Sequence, residues 1–225
     1  MKADVSDLRV FLLLMAISSI CQVIVTPFLL NEPQLFVNWI AIPIHGGLGY
    51  IGMRFFLREA GPKGMMDVPG EWRQYLFPAI AGLLFGVLAT GFDMISETKV
   101  PQLPFPLSIP AYIPVAIMDN MFWKLFIMTM VVYMVSGRLF KGRKQEAVYW
   151  GMAVVYSIVY MMIQFGQYAA LVGEITPVTV VQIFIVSGGF ILTSCWAFRR
   201  WGFLAAVIMH ISQYLLYHGV YGGLS

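Results

Sequence analysis

The chain has 225 residues, 60% of them hydrophobic and 11% charged, with a mean hydropathy of +0.79. An average soluble domain is about 45–50% apolar and about 25% charged, so this composition excludes a soluble globular protein. The net charge of +3 gathers in short clusters between apolar runs, and without a separate basic patch a nucleic-acid role has no support.

Seven apolar runs are each long enough to cross ~30 Å of hydrocarbon as a helix rising ~1.5 Å per residue. They predict spans at residues 8–30, 35–57, 75–96, 111–137, 148–172, 177–198 and 202–222. The expected architecture is therefore an all-α polytopic bundle of about seven helices, one integral membrane domain over residues 1–225. The first run is long for a signal segment, and Ile20 directly before Cys21 spoils a lipoprotein cleavage site, so it is expected to be retained. Cys21 and Cys195 both fall inside spans and read as packed apolar residues.

The loops set the expected orientation. Lys2, Arg9, Arg54, Arg58, Lys63, Arg73, Arg138, Lys141, Arg143, Lys144, Arg199 and Arg200 sort to one side of the predicted spans, against Lys99 on the other. That asymmetry predicts a cytoplasmic N-terminus and an outside C-terminus, in the cytoplasmic membrane. The connection at 58–74 mixes turn formers with Met65, Met66, Val68 and Trp72, and is expected along the headgroups. The connection at 100–110 carries four prolines and is expected to be extended. Glycines at 46–49 and 187–189 permit close helix contact.

The fourth run is anomalous, because Asp119, Asn120 and Lys124 lie within six positions of an otherwise apolar segment. A central Asp or Lys costs about 2.5–3.5 kcal/mol on insertion scales, while each Leu or Phe returns only about 0.3–0.6. Such residues persist when they face other helices or water. Asn120 and Lys124, four apart, share one face; Asp119 and Lys124, five apart, do not on an α-helix and so need partners elsewhere. The fifth run aligns Tyr149, Tyr156, Tyr160, Gln164 and Gln167, and the seventh aligns His210, Gln213, Tyr214, Tyr217 and His218. Three inward polar faces predict a shared cavity in which Asp119, Asn120, Gln164 and His210 converge, with Lys124, Tyr160, Gln167, Gln213 and Tyr214 around them. These residues read either as a structural staple between helices or as a ligand site. Three scattered histidines, His45, His210 and His218, do not make a metal site, so no metal or other cofactor is expected. Haem between His45 and His210, or a retinal Schiff base on Lys124, is equally unsupported.

The same positions resemble the CPBP family of intramembrane proteases, which includes CAAX prenyl proteases and bacteriocin-processing proteins. Family members carry EExxxR, FxxxH and HxxxN or HxxxD on successive helices. The corresponding windows are Asp119-Asn120 with Lys124, Tyr160 with Gln164, and His210 with Tyr214, and the approach WAFRRWGFLAAVIMH is also similar. The resemblance covers residues 111–225 and implies a helical bundle with an intramembrane water-activating site. Of the motif residues only His210 is identical. Asn120 replaces a carboxylate, Gln164 an imidazole and Tyr214 an amide, so most of the titrating groups are gone. The resemblance thus implies a non-catalytic relative that binds a partner membrane protein or a lipid-like ligand. The alternative is an atypical hydrolase of prenylated or leader peptides acting through Asp119 and His210.

Overall fold

The structure, a computed structural model, describes residues 5–28, 33–60, 63–66, 71–96 and 103–222. Every regular element among the described residues is helical. In chain order these are α1 (Val5–Phe28), α2 (Pro33–Ile51, continued by Gly52–Phe56), α3 (Arg73–Ile95), α4 (Ser108–Leu139), α5 (Gln145–Val172), α6 (Pro177–Trp201) and α7 (Phe203–Tyr221). Among the described residues six helices, α1 and α3 to α7, are long and apolar enough to cross a membrane. The outer surface is apolar, with Leu12, Leu13, Phe77, Leu84, Val155 and Met162 all exposed. That is the surface of a helical integral membrane protein, whose side chains meet lipid while its backbone satisfies itself.

Local sequence explains the element ends. The Thr176 hydroxyl accepts from the Thr179 N–H, and Pro177 occupies the first turn of α6, where a missing N–H costs nothing. α5 stops at Gly173, whose φ of +81° suits a residue without Cβ. At 105–107 the chain forms a turn within the connection expected to be extended, and α4 begins at Ser108 with Pro110 in its first turn.

One end of the bundle is tied together by the segment 63–66. Phe203 N–H donates to the Gly64 carbonyl (3.1 Å) and Leu204 N–H to that of Met65 (2.9 Å), which satisfies two donors that the start of α7 leaves open. Met65 N–H in turn donates to Asp7 Oδ1 on α1 (3.1 Å), and Arg58 pairs with the same carboxylate at 3.5 Å. Met65 is fully buried, so this stretch is core rather than headgroup surface, although Trp72 is 63% exposed. The sequence hides this because backbone carbonyls, not side chains, make the contact. Val68 lies outside the described residues.

Close helix approach sets the interior. A Cβ at Gly82 would lie 2.1 Å from the Met209 carbonyl, and at Gly52 1.8 Å from that of Leu125, so α3 meets α7 and α2 meets α4 backbone to backbone. Gly46 and Gly49 receive Met15 and Met121, and Gly188 receives Met161. Five segments, Gly52–Phe56, Met121–Met128, Tyr133–Leu139, Ile183–Gly188 and Leu215–Tyr221, are wound as π-helix. Each wider turn rotates the helix faces away from the α-helical register.

Candidate functional site: a lysine buried between three helices

Lys124 lies in the π-wound stretch of α4 and is fully buried. Its ammonium donates to Asn120 Oδ1 at 2.8 Å and sits 5.2 Å from the centroid of the Tyr156 ring on α5, so an amide oxygen and a π-face replace water around the charge. Tyr156 is held in place by stacking on Trp123 at 4.8 Å. The Asn120 amide nitrogen donates to the Ala116 carbonyl (2.7 Å) and meets His210 Nδ1 at 2.9 Å.

Those contacts fix a protonation pattern. Asn120 Oδ1 is committed to an ammonium and Nδ2 to a carbonyl, so the amide cannot be turned over without losing both bonds. Nδ2 is a donor only, so His210 Nδ1 accepts and the imidazole proton lies on Nε2. Nε2 is buried without a hydrogen-bond partner, beside the Phe190 ring at 5.0 Å. The basic lone pair of His210 is therefore spent on Asn120.

Asp119 is half-buried on the neighbouring face of α4, within electrostatic reach of Lys124, Tyr156, Tyr160 and Tyr214. Tyr160 packs edge-on against Tyr156 at 6.2 Å and lies close to Gln164 on its own helix and to Tyr214 on α7. The Tyr214 ring then packs on His210 at 4.5 Å. Direct contacts thus link Lys124 to Asn120 and Tyr156, Tyr156 to Tyr160, and Asn120 through His210 to Tyr214, with Asp119 and Gln164 beside them. Gln167 does not join it; it is exposed, and one position further Tyr168 turns inward instead. Gln213 is buried with its backbone carbonyl against Gly86 of α3. The centre is filled by these side chains. What opens beside it is a groove between α4 and α7, lined by Ser108, Tyr112, Ile113, Ile211, Tyr214 and Leu215. Ser108 contributes a buried hydroxyl without a partner.

The histidines are used separately. His45 stacks on Phe122 at 5.0 Å, while His218 stacks on Tyr112 at 3.7 Å. Among the described residues no group of three or more His, Cys, Asp or Glu side chains is placed to hold a metal ion.

A second polar cluster escapes sequence reading. Asp93 on α3 is 1% exposed. Gln182 Nε2 on α6 donates to its Oδ1 at 2.9 Å, and the Tyr217 hydroxyl on α7 donates to its Oδ2. Tyr168 on α5 lies within electrostatic reach of Asp93, so side chains from four helices surround this carboxylate. The signal was the insertion cost already applied to Lys124: an Asp inside an apolar run needs donors from its neighbours.

No protein-family model, curated protein or solved structure matches the chain.

Proposed function

We propose that this chain is a non-catalytic, CPBP-like protein of the cytoplasmic membrane that binds a partner membrane protein or a lipid-like ligand beside its buried polar cluster. In this reading α2 is a seventh span and the basic end of the bundle faces the cytoplasm. The course of α2 supports that placement, because it keeps company with α1 and α4 from the Trp39–Thr26 hydrogen bond through His45 and Gly49 to Gly52. The distribution of Lys and Arg supports the orientation.

The observation that carries the non-catalytic reading is the Asn120–His210 hydrogen bond. A general base needs a lone pair directed at the proton it removes, and His210 has none left. Gln164 does not titrate at all, and the Lys124 ammonium is consumed by Asn120. Binding is favoured over hydrolysis because a largely apolar groove between α4 and α7 lies beside the cluster, with Tyr112 and Tyr214 among its lining side chains. Such a groove suits an acyl chain or a partner helix.

Purification in mild detergent tests this reading. A stoichiometric lipid-like ligand or membrane partner is expected to stay bound, and Tyr112→Ala with Tyr214→Ala is expected to release it. A chain that elutes alone and stripped of lipid overturns it. Incubation with prenylated or leader peptides tests the hydrolase alternative: turnover that Asp119→Ala abolishes reverses the conclusion.

A further inference from the structure

We propose that Arg73 and Arg200 form the headgroup site for one anionic phospholipid at the end of α3 and α6, with the surrounding aromatic rings as its walls. This site is separate from the α4–α7 groove and depends only on the bundle lying in a bilayer.

The two arginines differ from other arginines at that end. Arg199 is paired with Glu146, Arg58 with Asp7, and Arg138 with the Tyr133 hydroxyl. Arg73 and Arg200 are exposed, and among the described residues neither guanidinium meets a carboxylate. Each is instead laid over an indole, Arg73 at 5.9 Å from Trp72 and Arg200 at 6.0 Å from Trp201. Cation–π contact of this kind steers the planar fork while leaving its N–H donors open for phosphate oxygens.

The rings bring the two arginines to one patch. Phe77 lies one helical turn beyond Arg73 and stacks on Trp201 from α6, at 6.2 Å and 19° between planes. Trp196 closes edge-on against Trp201 at 4.7 Å. From there an exposed apolar row runs along the bundle through Phe77, Ile80 and Leu84 on α3 and Leu192 on α6. Two open guanidiniums at the mouth of an apolar row match one phosphodiester above its acyl chains. Glu71, exposed beside Trp72, is the nearby carboxylate, and it leaves the patch net positive. A water-soluble phosphate would gain nothing from Phe77, Ile80 and Leu84, so the occupant is the lipid.

Native mass spectrometry of the detergent-solubilised full chain tests this, titrating phosphatidylglycerol against phosphatidylcholine. The expected result is a single tight phosphatidylglycerol adduct, and about a tenfold loss of that preference in R73Q/R200Q. The control pair K141Q/R143Q removes two exposed cations elsewhere and is expected to keep the preference. Glycerol 3-phosphate, which has the charge but no chains, is expected not to compete. Unchanged preference in R73Q/R200Q, an equal loss in K141Q/R143Q, or displacement by glycerol 3-phosphate would each overturn the proposal. Both sites are surface positions, and gel filtration of the variants separates lost binding from lost folding.

Discussion

Lys124 and Asp93 are both buried in this bundle, and they are accommodated in opposite ways. Lys124 is a donor that needs acceptors, which are scarce among apolar helices because backbone carbonyls are already used. It is met by one amide oxygen and one aromatic face. Asp93 is an acceptor that needs donors, and Gln182 and Tyr217 on other helices supply them. The cation therefore has a single hydrogen-bond acceptor, Asn120, whereas donors to the anion come from separate helices. Loss at the first site should be abrupt and at the second graded.

Asn120→Leu is the severest test. It leaves the ammonium without its oxygen acceptor and His210 without its donor, and should cost about 3–5 kcal/mol, the range for breaking a buried charged pair. Unfolding in mixed micelles measures it; a loss below that of Tyr217→Phe would break the contrast between the clusters. Tyr217→Phe removes one of the donors to Asp93 and should cost about 1–2 kcal/mol. Tyr156 sharpens the lysine side. Tyr156→Leu removes the π-face and should cost about 1–2 kcal/mol. Tyr156→Phe keeps the face and discards a hydroxyl that has no hydrogen-bond partner, so it should change stability by less than about 0.5 kcal/mol. Equal losses in the two Tyr156 variants would show that the hydroxyl, not the ring, holds the cation.

The helical membrane architecture was legible because composition and run length alone demand it. The Lys124 cluster was legible for a related reason, since three polar residues within six positions cannot be explained by a helix end. Asn120 and Lys124 meet at the four-residue spacing that predicts it, and His210 arrives from the polar side of its own helix. Asp93 was passed over because a single carboxylate near the end of a span looks like an interfacial residue. Gln167 shows the limit of periodicity: it follows the α-helical stripe of Tyr149 and Gln164, yet Tyr168 is the side chain that reaches a neighbour. The π-wound segments were invisible as well, since no residue type marks them and tertiary packing selects them.

The seating of Gly64 and Met65 against the first turn of α7 bears on how the protein is assembled. α7, which leaves the ribosome after the other described helices, docks on a platform already built from α1 and the link between α2 and α3. A fragment ending at Trp201 would keep that platform but expose its carbonyls, and α7 supplied as a separate peptide should complement it. An insertion between Gly64 and Met66 should abolish the complementation, because the newcomer would find no acceptors waiting.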